Sequence, residues 1–148
     1  SKAVLKQAWR DGNLSAFPAG TRVGVDAAGW LHRAAVSNAT DICLEKQGSH
    51  GHRTVFVRLL QQLLHAGCEV VVVLDGAAWP LKSATHAKRR NARDVAFAKA
   101  KEAMAADDWK TADKFFKQAL KVTQEFVAWA IKHLEGISHT RVVVANYE

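Results

Sequence analysis

The segment Glu69–Asp75 constrains the fold more than any other part of the chain. It reads Glu-Val-Val-Val-Val-Leu-Asp, with five consecutive apolar residues between two acids. β-Branched residues favour strands, and an apolar run that does not alternate with polar residues is typical of a strand covered on both faces in a parallel sheet. We therefore predict a buried parallel strand here, and with it an α/β fold.

Two further segments are predicted to be strands of the same sheet. Residues 22–26 read Arg-Val-Gly-Val-Asp, and residues 141–145 read Arg-Val-Val-Val-Ala. Apolar residues at helical spacing fill most of the chain between and before these strands. They predict helices at residues 4–12, directly after the first strand, at 55–64, at 83–106 and at 108–134, with a loop at 40–51. This order of elements predicts one α/β domain around a three-stranded parallel sheet.

Length and cysteine content limit the class of protein. The 148 residues suffice for one domain with its own core. Two cysteines without a Cys-x-x-Cys pair do not make a disulfide framework, and the pair His50 and His52 has no partner pair that would complete a zinc site. The longest uncharged apolar run is too short to span a membrane. We therefore expect a soluble intracellular domain.

An acidic residue lies at or just after the end of each predicted strand. Asp26 closes the first strand, Asp75 closes the second, and Glu148 follows the third. The carboxyl ends of parallel strands meet at one edge of the sheet, where the ligands of open α/β folds gather. Three carboxylates there would repel one another unless a hard cation such as Mg²⁺ neutralised them. The alternative is that each aspartate only caps a helix or forms a turn.

Positive charge is concentrated in one third of the chain. The formal net charge is +7, and residues 82–132 hold 12 basic and six acidic residues. On a helix, Lys82, Arg89 and Arg93 would share one face and could hold phosphates. A solvated helix face is the alternative. His32 follows Asp26 by six residues, where its ring could stack on a nucleobase or have no such role.

Three motifs resemble those of the eukaryotic 5′ nuclease family, which includes the flap endonucleases and the mismatch-repair 5′→3′ exonuclease. The first is Val-Gly-Val-Asp-Ala-Ala-Gly-Trp-Leu-His-Arg-Ala at residues 23–34. The second is Val-Leu-Asp-Gly-Ala-Ala-Trp-Pro-Leu-Lys at residues 73–82, and the third is Val-Ala-Asn-Tyr-Glu at residues 144–148. The resemblance covers nearly the whole chain, and the exonuclease branch is the closer match.

This resemblance implies a PIN-like, three-layer α/β domain with a central parallel sheet and a helical arch. Residues 83–122 would form the arch through which 5′-ended strands are recruited, and the region after Ala35 would separate the duplex arms. Residues 1–148 would be the N-terminal nuclease domain, truncated before the helix-two-turn-helix, with the C-terminal half of the nuclease core absent. Family members continue past the third motif with further acids, and their Met-Gly-Ile opening is replaced here by Ser-Lys-Ala.

The resemblance also implies roles for the matched acidic and basic residues. Asp26, Asp75 and Glu148 match family acids that hold two divalent metal ions, with Mg²⁺ as the expected ion and Mn²⁺ as an alternative. Lys82 and Arg89 match the basic pair that holds the scissile phosphate and would be catalytic. Each of these five roles is an expectation that the family's pattern carries to this chain.

A second group of residues is expected to contact DNA outside the reacting phosphate. Arg93 matches a nearby phosphate contact, and His32 matches the position whose ring stacks on the nucleotide at the cleavage site. Together with the neighbouring basic residues, the predicted DNA-binding set is His32, Lys88, Arg90 and Arg93.

The sequence therefore predicts a Mg²⁺-dependent, structure-specific 5′ nuclease domain. It would hydrolyse DNA at 5′ ends, nicks, gaps or flaps, in the nucleus, with repair or replication proteins as partners and without a membrane. Two alternatives stay open. One is a DNA-binding relative of the same fold that has no catalytic activity. The other is a protein-interaction domain, because residues 105–120 loosely resemble one tetratricopeptide helix pair.

Overall fold

A three-stranded parallel sheet forms the centre of the domain. The structure, a computed structural model, describes residues 17–75 and 83–145. Its strands are β1 (Arg22–Asp26), β2 (Glu69–Asp75) and β3 (Thr140–Ala145), and β2 lies between the other two. The predicted strands, their parallel direction and the α/β class are confirmed. The predicted helix at residues 4–12 lies outside the described residues.

Six helices occupy the described residues between these strands. After β1 come α1 (Ala27–Val36), α2 (Ala39–Cys43) and α3 (Gly51–His65), and after β2 come α4 (Ser83–Ala105), α5 (Trp109–Ala119) and α6 (Gln124–Glu135). None of the described helices combines the length and the apolar character that a membrane span requires. The helices predicted after β1, before β2 and at the start of the basic block are observed.

Two predictions of local structure were wrong. The predicted loop at residues 40–51 begins with the short helix α2, and the predicted helix at 108–134 is two helices. The chain becomes extended at Leu120, and the Thr123 hydroxyl then accepts a hydrogen bond from the backbone N–H of Phe126 as the N-cap of α6. The break lets Phe116 and Leu120 enter two different clusters of buried side chains, which one straight helix could not do.

The main hydrophobic core lies on one face of the sheet. Val70 and Val72 of β2 are each 1% exposed and pack in a cluster with side chains of α1, α3 and α6. On the opposite face, Val71 and Val73 are only half-buried, and Val143 of β3 is 40% exposed. Among the described residues, β2 is therefore covered more completely on the face of the main core than on the opposite face.

Helices α4 and α5 form a helical hairpin with a small core of its own. Ala100, Ala112 and Phe116 are fully buried between the two helices. The hairpin turns at residues 106–108, where Asp107 has a left-handed backbone (φ 57°) and Asp108 accepts a hydrogen bond from the N–H of Thr111. Asp108 is thus the N-cap of α5, as its position before the helix predicts.

The short helix α2 contacts this hairpin. The Thr40 hydroxyl of α2 donates to Asp113 Oδ1 of α5 at 2.9 Å, and the Cys43 thiol lies 3.4 Å from the carbonyl oxygen of Phe116. Cys43 and Leu44 also pack against the hairpin core. The foot of the hairpin is therefore held by α2 and the residue that follows it.

His52 is the one buried polar or charged side chain in the described core. Its Nδ1 lies 3.2 Å from the amide nitrogen of Asn38, and its ring stands edge-on to Phe126 with 4.5 Å between the ring centroids. Burial, followed by the positive charge of Arg53, lowers the pKa of His52 below its ordinary value. His52 therefore favours its neutral form in the folded protein.

This lowered pKa predicts how stability depends on pH. As the pH falls through about 6.5, the unfolded chain binds a proton at His52 before the folded chain does, so the free energy of unfolding decreases. We expect wild type to lose more stability than His52→Gln between about pH 7.5 and pH 5, measured by urea denaturation. The other histidines titrate in both proteins, so equal losses in the two would contradict the prediction.

Candidate functional site

Two of the three predicted acids end neighbouring strands at the same edge of the sheet. Asp26 is the last residue of β1 and lies opposite Val73 of β2, and Asp75 is the last residue of β2 and lies opposite Ala145 of β3. Asp75 thus lies two residues further along the strand direction than Asp26. Glu148 and the side chain of Asp75 are outside the described part of the structure. The backbone therefore places two acidic positions at the carboxyl edge, where α/β folds bind ligands.

The Asp26 side chain has a structural role that the sequence left open. Its Oδ1 accepts a hydrogen bond of 3.0 Å from the backbone N–H of Ala28, so Asp26 is the N-cap of α1. Its Oδ2 lies beside Gly29, at 3.9 Å from the position that a Cβ would take there. One oxygen therefore caps the helix, and the other faces a residue without a side chain at the exposed end of β1.

The donor chemistry of this edge fits a hard divalent cation. Such ions bind carboxylate oxygens, and Mg²⁺ in particular uses few carboxylates together with water and phosphate. Across residues 17–75 and 83–145 the structure contains no cluster of three His, Cys, Asp or Glu side chains that could hold a metal ion. Asp26 is the predicted ligand whose side chain is described, so the fit rests on its free oxygen and on the strand-end position of Asp75.

His32 lies on the exposed side of α1 that begins next to Asp26. Gly29 and His32 are three residues apart, which puts them on one face of the helix, and both are exposed. Because Gly29 has no side chain, nothing of that residue projects between the Asp26 carboxylate and the His32 ring. The structure thus places His32 on an exposed face of α1, three residues after Gly29.

The basic residues of α4 divide into two groups. Lys88, Arg89 and Arg90 are exposed, whereas Arg93 is half-buried, and Lys82 is outside the described residues. The structure groups Arg93 with Arg90, since both line a cavity of about 340 Å³ between α4, α2 and the link from α5 to α6. Arg89 does not line that cavity. Arg89 and Arg93, two residues of the predicted stripe, therefore do not both face it.

Lys121 is a residue of this cavity that sequence reasoning missed. It lies in the break between α5 and α6 and lines the same cavity as Arg90 and Arg93. In the predicted continuous helix at 108–134, Lys121 would be one solvated lysine among several. The Thr at position 123, a strong N-cap residue, is the signal that could have revealed the break. The cavity is thus lined by three cations, Arg90, Arg93 and Lys121, together with the acids Glu45 and Asp94.

The loop between α2 and α3 is braced by polar contacts. The Ser49 hydroxyl donates to Asp41 Oδ2 at 2.6 Å, Lys46 lies 3.7 Å from the same oxygen, and Asn38 donates to the Ser49 hydroxyl at 3.0 Å. This is the region that the family resemblance assigns to separating duplex arms. These contacts join the loop to Asn38 and to Asp41 of α2.

Comparisons with known proteins give the family of the chain. Residues 3–96 match the family model described as XPG N-terminal domain. Exodeoxyribonuclease 1 of Saccharomyces cerevisiae is 31% identical over 131 residues, which are 87% of this chain and 18% of that protein. Exonuclease 1 of Oryza sativa subsp. japonica is 27% identical over 87% of this chain and 15% of its own length.

A flap endonuclease is among the similar proteins as well. Flap endonuclease 1 of Tetrahymena thermophila is 32% identical over 126 residues, which are 80% of this chain and 33% of that protein. The chain therefore spans a third or less of the length of these relatives. The match to the domain model covers more than half of the chain, and the chain belongs to the XPG N-terminal domain family of eukaryotic 5′ nucleases, as its motifs predicted.

Proposed function

We propose that this chain is the N-terminal nuclease domain of a structure-specific 5′ nuclease that hydrolyses DNA at 5′ ends, nicks, gaps or flaps. The observation that carries the proposal is the carboxyl edge of the sheet, where Asp26 and Asp75 end neighbouring strands. The family membership of the chain supports nuclease chemistry, and the basic helix α4 supports a polyanionic substrate.

The proposal includes a site for two Mg²⁺ ions, with Mn²⁺ as an alternative. Asp26, Asp75 and Glu148 would hold them, directly or through water, because carboxylates are the ligands these ions prefer. When bound, such a pair of ions supplies a nucleophile at neutral pH and stabilises the attacking and leaving oxygens of an in-line displacement. Asp26 can serve as a ligand and a helix cap at once, because its two oxygens face different neighbours.

The chain's basic residues would position the DNA and neutralise its charge. Lys82 and Arg89 would contact the scissile phosphate and stabilise the charge that develops in the transition state. Arg90 and Arg93, with Lys121, would hold a second phosphate at the cavity that they line with the acids Glu45 and Asp94, where the cations outnumber the acids by one, and Lys88 would contact the backbone nearby. Phosphate contacts of this kind give affinity without sequence preference, which suits an enzyme that acts on DNA structure.

His32 would contact the nucleotide next to the cleavage site. Its ring is exposed on the face of α1 that begins beside Asp26, and an aromatic ring there can stack on any base. Stacking would orient the strand so that its phosphate lies over the acidic edge. We also propose a nuclear location and repair or replication proteins as partners, which tagging of the natural protein in cells would test.

A DNA-binding protein of the same fold without catalysis is the second candidate. The observation in its favour is that Asp26 caps a helix, so an acid at this position is useful even to a protein that binds no metal. The two candidate functions differ in whether DNA is cleaved. Both require DNA binding, and both would use the basic surface of α4 for it.

The test is a cleavage assay of the full-length protein on 5′-flap, nicked and intact duplex DNA. We expect Mg²⁺-dependent products from the flap and the nick, much less product from intact duplex, and none in EDTA. Binding to flap DNA that falls steeply with salt, without any cleavage, would favour the second candidate. If the protein neither binds nor cleaves these DNAs, both candidate functions are contradicted.

A further inference from the structure

His52 is a buried histidine that the proposed chemistry does not use. It is 7% exposed, at the start of α3, and its Nδ1 lies 3.2 Å from the amide nitrogen of Asn38. An amide nitrogen donates and does not accept, so Nδ1 must accept, and the ring must be neutral with its proton on Nε2. This hydrogen bond therefore exists in only one protonation state of the histidine.

Asn38 extends this contact to a loop at the surface. The loop between α2 and α3 comprises residues 44–50, and the Asn38 amide also donates to the hydroxyl of Ser49 in that loop at 3.0 Å. That hydroxyl in turn donates to Asp41 Oδ2 at 2.6 Å, and the Lys46 ammonium lies 3.7 Å from the same oxygen. A continuous chain of hydrogen bonds thus runs from a buried ring to an exposed loop.

Protonation of His52 would place a donor opposite a donor. Nδ1–H and the amide group of Asn38 would then repel each other, so the amide would have to rotate and turn its Oδ1 toward the ring. Rotation would put Oδ1 where the nitrogen now lies, 3.0 Å from the Ser49 hydroxyl. Ser49 would then face two acceptors with a single hydrogen, since it already donates to Asp41. The contacts that brace the loop therefore require the neutral form of His52.

The groups that surround His52 favour its neutral form. Burial is the largest cause of its lowered pKa, and the positive charges of Arg53 and His50 act in the same direction. Glu125 of α6 acts in the opposite direction, but it pairs with Arg53 at 3.3 Å. His52 also lines a cavity of about 510 Å³ beside the loop, through which water can reach the ring.

We propose that His52 and Asn38 are positioning residues, which brace the loop between α2 and α3 for binding DNA that has two duplex arms. The proposal rests on the proposed function, because the family resemblance assigns this region to separating the arms of the substrate. Neither residue belongs to the acidic edge of the sheet or to the basic helix α4. Nicked DNA has two arms, whereas a single duplex end has one and needs no separation.

The test compares nicked duplex DNA with a one-arm duplex that has the same 5′ end. Binding of the full-length protein is measured by fluorescence anisotropy in EDTA, so that no metal-dependent cleavage occurs. His52→Phe keeps a ring against Phe126 but offers Asn38 no acceptor. It is expected to weaken binding of nicked DNA by about fivefold, the effect of one lost hydrogen bond, and to leave the one-arm duplex unchanged. His52→Gln restores an acceptor and should retain most of the affinity.

Two further variants test the path through the loop. Ser49→Ala removes the link in the loop without changing the buried ring, and it should weaken binding of nicked DNA by a similar factor. Combined with His52→Phe, it should cost little more than either substitution alone, because both break one network. Val55→Ala is the control for loss of stability, since Val55 packs against the main core, and both affinities should stay unchanged.

The pH profile separates positioning from a merely structural role. As the pH falls from about 7.5 to about 5.5, His52 takes up a proton in wild type. The preference of wild type for nicked DNA over the one-arm duplex should therefore decrease toward that of His52→Phe. The preference of His52→Gln should change less, because it lacks this titrating ring and the other histidines are the same in both proteins.

Three outcomes would overturn the proposal. The first is that His52→Phe or Ser49→Ala binds nicked DNA as wild type does, and the second is that both lose equal affinity for the one-arm duplex. The third is that wild type and His52→Gln have the same pH profile, a comparison that holds even if His52→Phe does not fold. Failure of the proposed function would look different, because wild type would then bind neither DNA, or would bind nicked DNA without cleaving it in Mg²⁺.

Discussion

Replacing Asp26 with asparagine is expected to lower Mg²⁺-dependent cleavage of flap DNA by at least about a hundredfold while leaving the fold intact. Asparagine retains an oxygen that can accept the N–H of Ala28, and it caps helices as well as aspartate does. It removes only the negative charge, which the proposed metal site requires. The measurement is the single-turnover rate of cleavage together with the thermal unfolding midpoint of the variant.

Two comparisons isolate the charge from the cap. Asp26→Ala should lose the same activity and also about 0.5–2 kcal/mol of stability, because it removes the cap. Glu69→Gln removes a carboxylate at the opposite end of the sheet, where it pairs with His139, and should cleave at the wild-type rate. Asp75→Ala, on the neighbouring strand, should lose cleavage as well. Near-normal cleavage by Asp26→Asn would show that Asp26 is only a helix cap.

Replacing Phe116 with alanine should destabilise the helical hairpin by about 3–5 kcal/mol. Phe116 is fully buried between α4 and α5, and the other buried members of that core are two alanines, which cannot fill the space that its ring leaves. We expect faster amide hydrogen exchange throughout α4 and α5, with little change in β2. The core of β2 is separate, because Val70 and Val72 belong to the other cluster.

Phe97→Ala is the matched control for this prediction. Its ring stands edge-on to that of Phe116 with 6.0 Å between the centroids, but Phe97 is 37% exposed, so its removal leaves less of a cavity. We expect a clearly smaller effect on exchange in the hairpin. Equal effects of the two substitutions, or an equal increase of exchange in β2, would contradict the description of the hairpin as a unit with its own core.

The strands and the edge of the sheet were predictable because their signals are local. An apolar run such as Glu69–Asp75 marks a strand by its own composition, and parallel strands necessarily bring Asp26 and Asp75 to the same edge. The N-cap of α5 followed equally from Asp108 alone. Family membership strengthened the identification of these residues, but their places in the fold required only the order of the strands.

The cavity on the basic helix was not predictable, because it depends on tertiary structure. Its third cation, Lys121, lines the cavity with Arg90 and Arg93 from the segment where the chain becomes extended at Leu120. On the two sides of that extension, Phe116 and Leu120 belong to different clusters of buried side chains, which a helical repeat in the sequence does not express.

The attachment of the hairpin to α2 has a mechanical consequence. A pair of helices with a buried core resists bending, and among the described residues it contacts the domain at the short helix that contains Thr40 and Cys43. A force applied at Trp109 would therefore tilt α4 and α5 together as a lever, with its pivot at α2. The cations of Arg90, Arg93 and Lys121 lie beside that pivot, where such a lever moves least.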